Sequence, residues 1–251
     1  MSCSTFRFFI FIALLPMVIG AQAPHVDSLA LQPEPRFRYE ALVLPAALIG
    51  FGVVGLESPT IRNLNSSTQG ELAEHIDDKL TIDDITQYTP FLSVYALNAA
   101  GIQGKHNFRD RTTILATAYL IMGGTVNIIK STGNEMRPDK TSNNSFPSGH
   151  TATAFMGAEF LYQEYRDVSV WYGVAGYAVA TGTGFFRMYN NRHWLTDIAA
   201  GAGIGILSTK IAYWLHPSIQ HLLFKKTSKT TGVILPTYQD GRWGVGLSVS
   251  F

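Results

Sequence analysis

The chain has 251 residues, of which 46% are hydrophobic and 15% charged, and its formal net charge is +1. A charged fraction well under the ~25% of an average soluble domain points to a heavily buried or membrane-embedded helical protein, and the length suits one good-sized domain. Near-neutrality, with no basic stripe carrying interleaved aromatics, excludes a nucleic-acid partner.

Residues 1–23 read as a secretory signal. Arg7 is the positive start, 8–19 an apolar stretch shorter than the ~18 residues a span needs, and Ala21-Gln22-Ala23 a small-x-small cleavage site. The only cysteine, Cys3, lies in that segment, so the mature chain has no disulfide, thiolate metal site or cysteine nucleophile. Residues 24–38 form an extended lead-in, and the main helical domain is expected over 39–217. Its first helix covers 41–56, apolar throughout, with Pro45 near its start. Residues 57–86 are polar. Their acids Asp77, Asp78, Asp83 and Asp84 are read as a solvated loop and helix N-cap rather than as a divalent-metal site.

A mixed apolar segment follows over 90–102, then a clear helix over 112–129 and a polar loop over 131–146. Three further helices are expected over 148–165, with Ser148 as N-cap, 168–186 and 194–215. Small residues in the last one (Ala199, Ala200, Gly201, Ala202, Gly203, Gly205) permit close helix contact, and His216-Pro217 ends it. A basic linker over 218–230 leads to the tail, 231–251. There Trp243, Val245, Leu247, Val249 and Phe251 alternate with small residues, Asp240-Gly241 is a turn signal and 233–238 supplies a partner strand. The expectation is a β-hairpin docked on the helical domain rather than a barrel.

Three patterns fall in order between Lys130 and Asp197: Lys130-x6-Arg137-Pro138, Pro147-Ser148-Gly149-His150, and Arg187-x5-His193-x3-Asp197. His193 and Asp197 share a face if helical, so the carboxylate can hold one ring nitrogen and leave the other free to attack. The same spacing also fits an ordinary structural pair. Ser148 and Gly149 open a helix, where free N–H groups and the dipole favour an anion, and His150 follows where a leaving oxygen could take its proton. Taken alone, this too fits a plain capped helix start. Lys130, Arg137 and Arg187 suit a phosphate and its transition-state charge, although each singly fits a surface cation.

Geometry joins the three patterns. At 1.5 Å per residue the helix over 151–165 is ~22 Å long and that over 168–186 ~28 Å. The chain therefore goes out along one and returns along the next, bringing His150 and Arg187 to one end. Lys130 closes the preceding helix and His193 opens the following one at that same end.

These residues resemble the three-part signature of the type 2 phosphatidic acid phosphatase (PAP2) superfamily, which includes bacterial acid phosphatases, lipid phosphatases and vanadium haloperoxidases. The match lies at Lys130, Arg137, Pro138, Pro147, Ser148, Gly149, His150, Arg187, His193 and Asp197, with Phe186 where the family usually has serine. The resemblance implies an all-α, membrane-associated bundle of about six helices, here with a short C-terminal β-hairpin. It implies His193 as the nucleophile of a phosphohistidine mechanism, oriented by Asp197, with His150 protonating the leaving group. Lys130, Arg137, Ser148, Gly149 and Arg187 then bind phosphate, and no metal or other cofactor takes part. The implied substrate is a lipid-linked phosphate or pyrophosphate: undecaprenyl pyrophosphate, a lipid A phosphate or a phosphatidic-acid-like lipid. The alternatives are an exported acid phosphatase for soluble phosphomonoesters, periplasmic or outer-membrane-associated, and a vanadium-dependent haloperoxidase.

A site facing the periplasm from the inner membrane fits the cations Lys105, Arg109, Arg111, Lys225, Lys226 and Lys229, all expected at the opposite end. It conflicts with a cleaved signal. Counting 41–56, 90–102 and 112–129 as spans from an outside N-terminus brings Lys130 inside, unless one of the first two is not a full span.

Overall fold

A computed structural model describes residues 39–73, 81–223, 231–239 and 242–250. The expected signal, the lead-in, Asp77, Asp78, linker residues 224–230 and the turn at Asp240-Gly241 lie outside the described residues. In chain order the elements are α1 (Glu40–Glu57), α2 (Pro59–Ala73), α3 (Asp83–Thr86), α4 (Thr89–Ala99), α5 (Phe108–Thr132), α6 (Gly149–Tyr165), α7 (Val170–Tyr189), α8 (Leu195–Leu223), β1 (Thr231–Gln239) and β2 (Arg242–Ser250).

The stretch expected to be a polar loop instead holds two helices, α2 and α3, so the described residues form eight helices rather than about six. Pro59 opens α2, where its missing N–H costs nothing and its fixed φ suits a helix. The inward face of α2 follows helical spacing, but two of its buried positions are the amides Asn65 and Gln69, so no apolar period marks it. Two expected boundaries also move. Helix α5 starts earlier, at Phe108, because Asn107 caps it by accepting from the Asp110 N–H. Helix α8 runs through Pro217 to Leu223 instead of stopping there. Proline removes one ladder bond, which neighbouring helices can offset in a membrane bundle; here buried His216 packs edge-on against His106.

Helix α6 is the central strut, buried on all sides and packed on α4, α5, α7 and α8. The apolar core lies around it, with Ile114, Ala118, Met122 and Val126 of α5 facing Met156 and Phe160. Its two glutamates are buried too and are held by neighbouring helices. Glu159 accepts from Lys210 at 2.7 Å, and Glu164 from Tyr213 at 2.6 Å and from the His106 backbone at 3.1 Å. Arg111, one of the cations expected at the end opposite the site, is buried 3.4 Å from Glu164.

Helices α1 and α8 run antiparallel. Gly55 near the end of α1 lies against Thr196, and Gly203 further along α8 lies against Pro45 and Ile49. After α1 the chain returns through α2–α4, since Tyr165 at the far end of α6 donates to the carbonyls of Val94 and Ile102, each at 3.0 Å. Thus α4, with 11 residues or ~17 Å, is not a full span, yet the chain still reaches the far end before α5 carries it back. Lys130 therefore ends opposite Glu40, and the shortness of α4 does not resolve the topological conflict.

Three helices are long and apolar enough to cross a membrane: Glu40–Glu57, Phe108–Thr132 and Leu195–Leu223. Large apolar side chains stand exposed on α1 (Val43, Val54), α5 (Leu120, Ile128) and α7 (Trp171, Val174), as a lipid-facing surface requires. The protein is membrane-associated. The tail forms an antiparallel pair in unbroken register from Thr231 opposite Ser250 to Gln239 opposite Arg242. Among the described residues the two strands pair with each other.

The α6–α8 contact depends on small residues. A Cβ on Gly205 would collide with the Ala152 carbonyl and come within 2.8 Å of the Met156 nitrogen, both backbone atoms that cannot yield. Gly205→Ala is expected to destabilise the protein by about 1–3 kcal/mol, read as a lowered Tm in detergent.

Candidate active site

The site occupies the end of the bundle where α5, α7 and the starts of α6 and α8 meet, and its hub is Asp197. This carboxylate is fully buried in the first turn of α8. Its Oδ2 accepts from the Ser145 hydroxyl at 2.5 Å, the Trp194 backbone N–H at 2.9 Å and His193 Nδ1 at 3.3 Å. Its backbone carbonyl accepts from the Ser148 N–H at 3.0 Å. One residue thus ties the start of α6 to the start of α8. The imidazole bond is the longest of the three, and it leaves Nε2 of His193 as the ring nitrogen not directed at Asp197.

His193 is 2% exposed. Burial lowers its pKa to about 4, overcoming the upward pull of Asp197, with Arg187 and Lys130 adding to the downward side. At neutral pH the ring is therefore uncharged, as a nucleophile needs.

Ser148 caps α6 as expected, its hydroxyl accepting from the Thr151 N–H at 3.4 Å. At Gly149 an added Cβ would meet only Val126, at 3.8 Å, so nothing in the chain itself crowds that backbone. His150 follows, half-buried. Burial and the nearby Arg187 lower its pKa, and Asp84 partly restores it.

The three cations differ in how fully they are engaged. Lys130 donates to the carbonyls of Asn144 at 2.5 Å and Ser145 at 3.4 Å, bracing the loop before α6. Arg187 gives Nη1 to Asp83 at 2.6 Å, while its Nε is buried with no partner among the described residues. The Nε of Arg137 is in the same condition, and burial, then the neighbouring Arg187, lower its pKa. Buried donors left over beside one another are costly unless an anion takes them.

The structure therefore brings together all the residues singled out from the sequence: His193, His150, Asp197, Lys130, Arg137, Ser148, Gly149 and Arg187. It also adds several that the sequence did not reveal. Ser145 sits in the polar loop just before the Pro147–His150 pattern. Asn65 of α2 donates to the Thr196 hydroxyl at 2.9 Å, and Gln69 to Asn191 Oδ1 at 2.7 Å, so two amides brace the turn that carries His193. Asp83 and Asp84, expected in a solvated loop, lie against the site. Asp83 is buried and also accepts from Asn190 at 2.9 Å, and Asp84 Oδ1 is 2.9 Å from His150 Nε2. Asp83, Asp84 and His150 are close enough to hold a cation together. Arg187 already pairs with both acids, at 2.6 and 3.9 Å, and disfavours a second positive charge there. Phe186, in place of the family serine, packs edge-on against Phe185 and Tyr189 and brings no donor.

The two histidines set an expected pH profile. If His193 must be neutral and His150 protonated, kcat/KM should rise as pH climbs through about 4 and fall again below the ordinary imidazole value, giving an acidic optimum. Initial-rate profiles of the wild type and His150→Gln check this: the variant should lose the alkaline limb and keep the acidic one.

Residues 111–220 match the family model of the PAP2 superfamily. A lipid A 1-phosphatase from Porphyromonas gingivalis is 36% identical over 179 residues, covering 71% of this chain and 38% of the relative. The bacitracin transport permease protein BcrC of Bacillus licheniformis is 29% identical over 96 residues, covering 38% of this chain and 45% of the relative. The chain thus spans less than half the length of the curated relatives it matches. Among solved structures, Aquifex aeolicus LpxE aligns with a TM-score of 0.46 at 22% identity, over 59% of this chain and 94% of that one. A transmembrane PAP2-type phosphatidylglycerolphosphate phosphatase from Bacillus subtilis aligns at 0.43 and 16% identity, over 73% and 98%. The matched segment holds every residue of the three patterns, from Lys130 to Asp197, and over that segment the chain is similar to the PAP2 superfamily.

Proposed function

We propose that this protein is a metal-independent phosphatase that hydrolyses a lipid-linked phosphate through a phosphohistidine. The observation that carries this reading is the pair of buried, unpartnered guanidinium N–H groups of Arg137 and Arg187 in the site that holds a neutral, buried imidazole, His193. The unfilled guanidinium donors call for an anion, and the uncharged ring supplies a nucleophile.

In the first step Nε2 of His193 attacks phosphorus. The bond to the leaving oxygen breaks, and that oxygen takes its proton from His150. Asp197 stabilises the positive charge on the ring, while Lys130, Arg137, Arg187 and the backbone N–H groups at the start of α6 hold the phosphoryl oxygens. In the second step water attacks phosphorus, giving its proton to His150, and the P–N bond breaks to release phosphate.

A lipid substrate is supported by the apolar exterior and by the lipid A 1-phosphatase relative. The test is phosphate release by detergent-purified protein, in EDTA, from lipid phosphates and from p-nitrophenyl phosphate. His193→Ala should lower kcat by roughly 10³-fold or more, and wild type quenched in acid-free base should carry labelled phosphate on histidine. Release from p-nitrophenyl phosphate alone would favour a soluble-ester enzyme, and a variant as active as wild type would rule out the mechanism.

The mouth is proposed to open to the periplasm. Because Glu40 and the site lie at opposite ends, this orientation starts α1 at the cytoplasmic face, and it is incompatible with a signal cleaved outside just before α1. In a Cys3→Ser background, Asn143→Cys at the site end should react with an impermeant maleimide in spheroplasts, and Lys105→Cys should not. The reverse labelling would place the site inside.

A further inference from the structure

We infer that Asp84 selects the leaving group, admitting an alcohol and repelling a phosphate, so that the site prefers lipid phosphomonoesters to lipid diphosphates. This deepens the phosphatase reading and rests on it.

The argument is one of charge placement on two sides of one site. A cavity of about 230 Å³ opens beside His150 and is lined in part by Asp83, Asp84, Arg187 and Arg192. As His150 protonates the leaving oxygen, the leaving group must lie on this side. Every cation there already faces a carboxylate. Arg187 Nη1 is 2.6 Å from Asp83 and 3.9 Å from Asp84, and Arg192 is 3.1 Å from Asp139. Asp84 Oδ1 itself stands 2.9 Å from His150 Nε2, beside the place where the leaving oxygen must come. The unmatched donors, Nε of Arg137 and of Arg187, serve the group being transferred, so the unfilled donors of the site are spent on one phosphate.

The two substrate classes diverge at the bond that breaks. From a monoester, the P–O bond breaks with its electron pair on oxygen, the His150 proton joins it, and a neutral alcohol leaves past Asp84. From a diphosphate, the same cleavage expels a lipid monophosphate, which holds its negative charges against the Asp84 carboxylate. Like charges at this range oppose one another, although the half-exposed side chain of Asp84 lets solvent screen part of the effect. The expected discrimination is therefore about tenfold rather than thousands-fold.

The test uses the purified full chain in detergent with EDTA, and farnesyl phosphate against farnesyl diphosphate, so that the lipid is constant. Wild type should show the higher kcat/KM on the monophosphate. D84N should reduce the monophosphate-to-diphosphate ratio about tenfold, while D84E, which keeps the charge, should preserve it. If Asp84 served only to hold His150, D84N would slow both substrates alike, and an unchanged ratio would overturn the proposal. A wild-type preference for the diphosphate would do the same. Should D84N fail to fold, raising salt on wild type must narrow the ratio, and a salt-independent ratio counts against Asp84. No His193-dependent release from either substrate would remove the phosphatase reading, and this one with it.

Discussion

A carboxylate as fully enclosed as Asp197 is tolerated only where donors surround it, and here those donors come from separate pieces of the chain. Ser145 reaches it from the loop before α6, His193 and Trp194 from the turn before α8, and its backbone carbonyl takes the Ser148 N–H. His193, the start of α6 and the loop held by Lys130 are therefore registered to one buried residue. Removing its charge would leave three donors without their acceptor and only the backbone bond from Ser148 to join the starts of α6 and α8.

The bundle behind the site makes this registration rigid. Helix α6 can be buried on every side because α8 presents glycines to it, so that Gly201 meets the Ser148 carbonyl and Gly205 the Ala152 carbonyl. Helix α2 adds a second brace, with Asn65 holding the first turn of α8 and Gln69 holding the turn before it. A side-chain amide can donate and accept together, and Asn65 does so against the hydroxyl and backbone N–H of Thr196.

Much of this was legible in the sequence, for identifiable reasons. The spacing of His193 and Asp197, the Ser148 cap and the out-and-back path of α6 and α7 follow from helical periodicity and helix length. What escaped was structure whose buried positions are polar. Helix α2 shows amides where a sequence reader looks for apolar residues. Asp83 reads as solvated because its partner, Arg187, is more than a hundred positions away. Arg111 reads as one more cation at the end opposite the site until the fold brings Glu164 to it. Pro217 reads as a helix end because local sequence cannot display the packing that carries α8 past it.

The short helix α4 explains why the acids of α3 lie where they do. A segment of 11 residues covers only about half of a ~30 Å hydrocarbon layer, so the return path from α2 needs something else over the remaining depth. Helix α3, four residues long, lies on that path, packed against α4, α6 and α7. Irregular backbone and ionisable groups in a membrane-associated bundle persist where they line a cavity and are paired. Asp83 meets this condition through Arg187 and Asn190, and Asp84 through His150. The cavity beside His150 and the carboxylates in its wall are thus one feature: apolar residues at 83 and 84 would leave Arg187 buried without its counter-charge.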